Sequence, residues 1–395
     1  MSTNNSKILY VTSVLRNGWP GGEPIVAKNT IDALKSNGYN VTATYYRSKF
    51  GNFLTMLFNK FRALFSSSDH FMLSYLYYKR IIRREKPDIV IAQYDYDSSI
   101  IKAAVDENKK IIVYVHIWWP VCPKITLFTY EGTICQGFTN SDCKTCASKT
   151  YKGGATKYAL LLLTNNKIHK KMRNRIDLLN KDDVTTVVLS SHMKEYFVNF
   201  GLPEEKIKIL PNGITCKNFT IDNDTREKIV CYYGGESDFK GFEIFYTIAK
   251  ILNTKYPDIQ FIATGNYQNK SPLVKYVGML DREKLKSLYA KSKCTVIPSI
   301  WDDPFPAVAL ESMAAGTPVV AFDVGSLSSI IHNEVGGFVV PLMGIDEMAD
   351  KIIRVVNDDK LFAKLSENAR RIACEEFTED KRIALLNEII NKSSR

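Results

Sequence analysis

Two carboxylates stand eight residues apart in WDDPFPAVALESMAAGTPVVAFDVG, which covers residues 301–325. The spacing predicts a helix from about 306 to 315 that contains Glu311, with Asp303 in the loop before it and Gly316 as its C-terminal cap. Eight helical residues span about 12 Å, so the two acids are too far apart to share one proton or one metal ion. This arrangement favours contacts at the two ends of an elongated polar ligand. A structural acid that caps the helix is the alternative.

Backbone amides at the start of this predicted helix are a second source of chemistry. The first N–H groups of a helix have no partner within the helix, and they can donate to hydroxyl groups or to an anion. The segment concerned runs from Phe305 through Pro306 and Ala307 to Val308. We therefore expect the polar ligand to meet this helix at its N-terminus.

Four cysteines lie close together and include one CxxC motif. Such a set can supply four thiolates to a structural zinc ion. The spacings differ from those of a standard zinc finger, so disulfides and free thiols stay open as alternatives. The cysteines of this cluster are Cys122, Cys135, Cys143 and Cys146. The other four are interpreted as core or scattered residues; they are Cys216, Cys231, Cys294 and Cys374.

The elements that must position these groups alternate along the chain. Short β-branched segments are followed by helical patterns, which is typical of buried parallel strands joined by right-handed βαβ crossovers. The predicted strands cover residues 7–13, 40–46, 88–93, 110–116, 185–191, 206–211, 228–235, 259–265, 294–299 and 317–323. The series restarts near residue 228, after a turn-rich segment at 211–226. The fold class is therefore α/β with two doubly wound parallel-sheet domains, and the predicted site is a cleft beyond the carboxyl ends of their strands.

The length and charge of the chain limit the class of protein. With 395 residues, two domains are expected, and a net charge of +11 indicates an anionic partner. No recognised nucleic-acid module accompanies that charge, so we expect no nucleic acid as partner. No apolar run approaches the roughly 20 residues that span a bilayer, and the N-terminus lacks a secretory pattern. A cytoplasmic protein without a disulfide framework is the expectation.

Two segments interrupt the alternation of strands and helices, and both have patterns that fit contact with a membrane surface. Residues 47–65, RSKFGNFLTMLFNKFRALF, would form a helix with an apolar face edged by cations, as in an interfacial membrane helix. A helix packed on its own domain is the alternative. Residues 157–175 end in the basic sequence KIHKKMRNR, which fits a solvated face or an additional attraction to anionic lipid.

Taken in order, several motifs resemble the family-4 retaining glycosyltransferases, which have the GT-B fold of two Rossmann-like domains. The resemblance begins with GGEPIVAKNTIDALKSNGYNV at 21–41 and continues through VVLSSHMKEYF, ILPNGIT and YYGGESDFKGFEIF. It ends with YVGML, VIPS and the acid segment itself. The likeness covers nearly the whole chain. It implies an N-terminal acceptor-side domain at 1–212 with a Cys-rich insertion at 117–150, a nucleotide-sugar domain at 213–377, and a helix at 378–395 that crosses back to the first domain.

The resemblance also implies roles for individual residues. Glu311 would hold the ribose hydroxyls of the donor, Asp303 would contact the donor sugar together with the amides of Phe305 to Val308, and Lys240 would pair with the diphosphate. Gly21 and Gly22 would let a loop approach the phosphates, and the backbone near Val277 and Met279 would edge the base. His116 matches the family's histidine on the sugar side of the cleft, whereas its spacing alone favours a core histidine. A subset of the family resembles this chain in the Cys-rich insertion.

Three positions depart from the family pattern. Asp303 stands where Glu is usual, Gly235 where a diphosphate-binding Arg is common, and Ser329 where an acid is common. The change at 303 affects which sugar is accepted. Without the Arg, Lys240 would carry more of the work, or another cation such as Arg16 would replace it.

The function that the resemblance implies is a metal-independent, retaining hexosyl transfer. The donor would be a UDP- or GDP-sugar, and the acceptor a glycan or a lipid-linked glycan at the cytoplasmic face of the membrane. No cofactor is expected for catalysis; zinc would be structural. The alternatives are a non-catalytic protein that binds sugar nucleotides and a sugar phosphorylase with the same fold. The motif YDYD at 94–97 imitates a metal-binding Asp-x-Asp and is interpreted as a loop.

Overall fold

The computed structural model describes residues 6–12, 22–44, 72–93, 98–150, 165–220, 226–267 and 271–393. The chain divides into two compact units. One comprises Met1–Leu210 with Ile383–Arg395, and the other comprises Pro211–Arg382. The predicted interfacial helix at 47–65 and the YDYD motif lie outside the described residues. None of the helices in the described ranges combines the length and the apolar character that a bilayer-spanning segment needs.

The first unit contains a six-stranded parallel sheet in the order β2-β1-β3-β4-β5-β6. The strands are β1 (Lys7–Thr12), β2 (Asn40–Thr44), β3 (Ile89–Gln93), β4 (Lys110–Val115), β5 (Val184–Val188) and β6 (Ile207–Ile209). The helices are α1 (Gly22–Ser36), α2 (Met72–Glu85), α3 (Ser99–Asp106), α4 (Cys143–Thr150), α5 (Asn165–Leu179) and α6 (Ser191–Asn199). Every residue of β3 is buried, as expected for a central strand with helices on both faces.

The second unit contains another six-stranded parallel sheet, in the order β12-β11-β10-β7-β8-β9. The strands are β7 (Glu227–Tyr233), β8 (Gln260–Thr264), β9 (Lys275–Tyr276), β10 (Ser292–Ile297), β11 (Val319–Phe322) and β12 (Gly337–Val340). The helices are α7 (Phe242–Asn253), α8 (Arg282–Lys291), α9 (Ala307–Ala314), α10 (Leu327–Ile331), α11 (Ile345–Asn357) and α12 (Asp359–Glu376). A last helix, α13 (Glu379–Ser393), begins in this unit and continues into the first. Thr295 of β10 lies opposite Cys231 and Val319, so β10 is fully inside this sheet.

The two sheets confirm the predicted α/β class with two doubly wound domains. Two strands were not predicted. Strand β9 has only two residues, which is too short for a periodic pattern. Strand β12 begins at a glycine pair, a sequence that indicates a turn. A Cβ at Gly337 would lie 2.0 Å from the Val319 carbonyl oxygen, so this strand can pair closely only because the residue is glycine.

The last helix belongs to both units. Glu379 and Arg382 at its start form an ion pair in the second unit, with a shortest N–O distance of 2.6 Å. From Ile383 onwards, the apolar face of α13 packs in the core of the first unit beside Ile8 and Tyr10. The observed division at 210 and 382 differs by a few residues from the predicted boundaries at 212 and 377.

A disulfide joins Cys216 to Cys374 in the second unit. The interpretation of these two residues as scattered cysteines is therefore wrong. The bond links the short 3-10 turn at Cys216–Asn218 to α12. The partners are 158 residues apart in sequence, so no local spacing indicates the pair. It becomes visible only when the fold brings the two segments together.

Candidate functional site

Asp303 lies in the loop between β10 and α9 and is buried, with 8% of its surface exposed. A Cβ at Gly325 would lie 2.1 Å from the Asp303 carbonyl oxygen, and Gly325 has a φ of +58°. The next residue, Ser326, donates its backbone N–H to the same oxygen over 3.2 Å. The segment that follows β11 therefore holds the Asp303 backbone, and only glycine allows so close an approach.

Lys240 is placed by a second loop, the 3-10 turn Asp238–Lys240 that follows β7. This loop binds the loop after β10, since Ile300 donates its N–H to the Phe239 carbonyl over 3.0 Å. A Cβ at Gly241 would lie 1.9 Å from the Pro298 carbonyl oxygen, so glycine is again required. The rings of Phe239 and Trp301 meet edge to face at 5.2 Å.

The two loops place the Lys240 ammonium close enough to the Asp303 carboxylate for its charge to act on the pKa of that group. Burial raises the pKa of Asp303 to about 6, and the positive charge of Lys240 together with the backbone N–H of Phe305 opposes that rise. Phe305 itself is buried, with its ring edge to face with Phe377. The Phe305 amide therefore serves Asp303, whereas the resemblance assigns it to the donor sugar.

Glu311 occupies the second turn of α9, as predicted. The Tyr289 hydroxyl of α8 donates to its Oε2 over 3.2 Å. Burial raises the pKa of Glu311, and the charges of Arg282 and Lys286 on α8, with the Tyr289 hydrogen bond, act in the opposite direction. This carboxylate is half-buried beside cations, which keeps it available as an acceptor for hydroxyl groups.

The start of α9 offers backbone donors. The helix begins at Ala307 after Pro306, and no side chain within the described ranges caps it. Ala309 donates to the Pro306 carbonyl over 3.1 Å, whereas the N–H groups of Ala307 and Val308 belong to the first turn, where a helix provides no acceptor. These two amides can bind an anion or a hydroxyl group.

The segment predicted to edge the base follows β9 at the border of the same sheet. Val277 donates its N–H to the Ala263 carbonyl over 3.1 Å, and the Gly278 carbonyl accepts from Gly265 over 2.8 Å. These contacts fix the segment to β8 and to the residue that directly follows it. Met279 is 64% exposed, so its side chain is accessible to a ligand.

In the first unit, His116 directly follows β4 and is buried, with 6% of its surface exposed. Its ring stacks on that of Tyr114 at 5.6 Å between centroids. Gly22 is the first residue of α1, and Gly21 lies outside the described residues. The structure thus brings Lys240 and Asp303 together, with Glu311 on the adjacent helix. The roles of His116 and of the glycine pair stay predictions.

Comparison with known proteins decides the family. The family model described as Glycosyltransferase Family 4 matches residues 20–218, half of the chain, and the model described as Glycosyl transferases group 1 matches residues 217–372. The chain belongs to glycosyltransferase family 4. Both models together extend over the two units, so the resemblance of the motifs is confirmed.

Two individual relatives and one solved structure add detail. An uncharacterized glycosyltransferase of Methanocaldococcus jannaschii is 30% identical over 49% of this chain and 56% of its own length. The UDP-Gal:alpha-D-GlcNAc-diphosphoundecaprenol alpha-1,3-galactosyltransferase of Escherichia coli is 26% identical over 47% and 54%. The chain thus spans about half the length of these relatives. Anabaena HepE, solved in complex with UDP-glucose, has a TM-score of 0.67 at 17% identity and covers 98% of this chain and 100% of its own. That likeness shows the fold, which is GT-B.

Two departures from the family-4 pattern have local explanations. Gly235 has a φ of +64°, and a Cβ at Gly265 would lie 2.6 Å from the Gly235 Cα. An Arg at 235 would have room for its side chain but would strain the backbone. Ser329 donates to the Ser326 carbonyl over 2.8 Å, so this hydroxyl supports the loop that holds Asp303. Arg16, the suggested replacement cation, lies outside the described residues.

Three residues that build the site were not found from the sequence. The roles of Gly241 and Gly325 could not be predicted, because each depends on which backbone segment lies against the glycine in the folded protein. Tyr289 is the single buried residue of α8 within the described helix. An isolated aromatic residue among charged ones is a weak sign of a polar contact.

The four clustered cysteines line one cavity of ≈ 260 Å³ in the first unit. Burial and the neighbouring thiols raise the pKa of Cys143 to about 12. The buried ammonium of Lys124 lies 3.6 Å from the Cys146 Sγ. In the part of the chain that the structure describes, no three His, Cys, Asp or Glu side chains are grouped to bind one metal ion. Zinc in this cluster stays a prediction that elemental analysis can test.

Proposed function

We propose that this chain is a retaining glycosyltransferase that moves a sugar from a nucleoside diphosphate to a glycan or lipid-linked acceptor. The observation that carries the proposal is the hydrogen bond from Ile300 to Phe239, which joins the Lys240 and Asp303 loops beside the uncapped start of α9. A cation and free amides suit a diphosphate, and a carboxylate suits sugar hydroxyls. One ligand class, the nucleoside-diphosphate sugar, contains both.

Glu311 and the segment after β9 would hold the nucleoside. The carboxylate of Glu311, fixed by Tyr289, would accept hydrogen bonds from the two ribose hydroxyls. Since the Val277 N–H is already bonded to β8, the base would meet the Val277 carbonyl and the Met279 N–H. A UDP- or GDP-sugar is the proposed donor. The UDP-Gal and UDP-glucose in the names of a relative and a neighbour favour the uridine nucleotide.

Catalysis would consist of positioning and charge stabilisation. The bond between the anomeric carbon and the diphosphate oxygen breaks, and Lys240 with the Ala307 and Val308 amides stabilises the departing charge. The acceptor hydroxyl attacks from the face that the diphosphate leaves, and a phosphate oxygen takes its proton, so the anomeric configuration is kept. Asp303 would orient the sugar through its hydroxyls. In this proposal the leaving group needs no metal ion, since Lys240 and the amides neutralise it.

The acceptor would be a growing glycan, free or lipid-linked, at the inner face of the membrane. The support is the net charge of +11, which would attract an anionic lipid surface, and the diphosphoundecaprenol acceptor in the name of one relative. The predicted interfacial helix at 47–65 would make the contact with lipid.

A non-catalytic sugar-nucleotide-binding protein is the second candidate. Gly235 favours it, because the position lacks the cation that commonly stabilises the leaving diphosphate. The presence of Lys240, whose charge acts on Asp303, argues for turnover.

The decisive experiment is a panel of UDP-, GDP-, ADP- and dTDP-sugars in the presence of EDTA. Calorimetry measures binding, and liberated nucleotide measures slow donor hydrolysis. We expect one tightly bound donor, whose binding Glu311→Gln weakens and whose hydrolysis Lys240→Ala slows. Lys250→Ala, on the exposed side of α7, is the matched control. Binding without any release of nucleotide would favour the second candidate, and a folded protein that binds no donor would refute both.

A further inference from the structure

A second cavity of ≈ 600 Å³ lies in the first unit between the cysteine-rich insertion and the helices α5 and α6. We call it the α5–α6 cavity. Its volume is within the range of about 300–1,000 Å³ that is typical of small-molecule sites. The aromatic part of its wall consists of Phe138, Tyr196 and Phe200, and the polar part includes Arg173, Asp177 and Asn199.

This cavity is separate from the edge of the sheet where His116 lies. Helix α5 leads through residues 180–183 into the start of β5, and α6 leads through residues 200–206 into the start of β6. The ends of both helices therefore lie at the amino-terminal edge of the parallel sheet. His116 follows the last residue of β4 and lies at the carboxyl-terminal edge, where ligands of such sheets normally bind.

The aromatic rings form a continuous apolar surface. The rings of Phe138 and Phe200 stack at 5.5 Å with an interplanar angle of 16°, and those of Phe200 and Tyr196 stack at 5.6 Å with an angle of 29°. The Tyr196 hydroxyl donates to the Cys135 carbonyl over 2.6 Å. A Cβ at Gly137 would lie 2.0 Å from the Phe200 ring. The insertion is thus packed onto α6, and the surface exists before any ligand binds.

The polar side chains around this surface are free to bind. Arg173 and Asp177 are one turn apart on α5, yet within the described ranges neither they nor Asn199 have a hydrogen-bonding or ion-pairing partner. The Arg173 guanidinium lies over the Phe138 ring at 6.0 Å. Guanidinium, carboxylate and amide groups form paired hydrogen bonds with neighbouring hydroxyls. One positive and one negative charge give the cavity no net charge.

We propose that the α5–α6 cavity is a second, non-catalytic binding site for a neutral glycan. The apolar C–H face of a pyranose ring would pack on the aromatic surface, and its hydroxyls would bond to Arg173, Asp177 and Asn199. The ligand class rests on the proposed function, since a protein that extends a glycan would gain effective concentration by holding that chain at a second point.

The experiment is calorimetry of the full chain with soluble oligosaccharides of glucose, galactose, mannose and N-acetylglucosamine, without any nucleotide sugar. We expect at least one of them to bind. Arg173→Ala and Asp177→Ala should each weaken that binding by about tenfold or more, because each removes charged hydrogen bonds. Glu195→Ala, exposed on α6 outside the cavity wall, should leave the affinity unchanged.

Two results would overturn the inference: no oligosaccharide binds, or one binds with an affinity that both α5 variants leave unchanged. Binding of the nucleotide sugar is measured on the same variants and should not change. The glycan measurement needs no donor. A failure of the proposed transferase function would therefore appear as lost donor binding with the glycan result intact, and the two failures can be told apart.

Discussion

Two regions of the molecule are held in different ways. One is the pair of loops that carry Lys240 and Asp303 in the second unit, which we call the donor edge. The other is the cysteine-rich insertion of the first unit. At the donor edge, backbone meets backbone at Gly241 and Gly325, and a disulfide joins Cys216 to Cys374 elsewhere in the unit. Where the insertion packs on α6, side chains make the contacts: Phe138 stacks on Phe200, and the Tyr196 hydroxyl donates to the Cys135 carbonyl. A site held by its backbone keeps one geometry, whereas polar side chains around a preformed aromatic surface can change rotamer to suit different ligands. This difference would suit the proposed combination of one donor with a variable glycan.

The largest expected effect is on stability, through the disulfide. In the chain-entropy picture, closing a loop of this length contributes about 4–5 kcal/mol. Reduction should therefore lower the free energy of unfolding of the second unit by up to that amount, as measured by urea denaturation with and without dithiothreitol. Cys216→Ser with Cys374→Ser should behave like the reduced protein in both conditions.

Thiol titration under denaturing conditions provides the control. Six of the eight cysteines should react before reduction and all eight after it. Eight reactive thiols in protein that was never reduced would show that the Cys216–Cys374 bond does not form. The second unit would then have no covalent cross-link to distinguish it from the insertion.

Lys240→Ala should slow sugar transfer by about 10²–10³-fold, the usual effect of losing one group that stabilises charge in the transition state. The measurement is kcat with the donor identified by calorimetry. Lys240→Arg keeps the charge and should recover part of the rate. A loss of less than about threefold, compared with Lys250→Ala, would show that another cation neutralises the diphosphate.

A pair of glycine variants tests whether the donor edge is held by its backbone. Gly325→Ala places a Cβ against the Asp303 carbonyl, whereas Gly235→Ala has the same strained φ but open space around the new atom. We expect a loss of about 2–4 kcal/mol for the first and about 1 kcal/mol for the second. Urea denaturation measures both. Equal losses would mean that the contact with Asp303 adds nothing to the backbone strain.

How much of the structure can be predicted from the sequence depends on how far apart along the chain the interacting residues lie. The helix that contains Glu311 and the loop that contains Asp303 follow from local rules for caps and apolar runs, and both predictions are confirmed. The contact of Phe239 with Ile300 and the bond of Cys216 to Cys374 join segments that are far apart in sequence. No periodic pattern encodes such pairs. The free amides of α9 were predicted, but the use of the Phe305 amide by Asp303 depends on the loop's geometry.

The smallest expected effect is on the pH dependence of kcat/KM. Asp303 should cause this dependence, and it should be absent from glycan binding at the α5–α6 cavity. Its pKa of about 6 means that the carboxylate is ionised above pH 6 and protonated below it. If the ionised form orients the sugar, kcat/KM should fall by about twofold at pH 6 and about tenfold at pH 5. Asp303→Asn should have a low rate that does not change over this range. Calorimetry of a neutral glycan at the α5–α6 cavity should show no change near pH 6, since Asp303 belongs to the other unit. A transition near pH 6 in glycan binding would assign the titration to a different group. A transition near pH 6 that persists in the kcat/KM of Asp303→Asn would do the same.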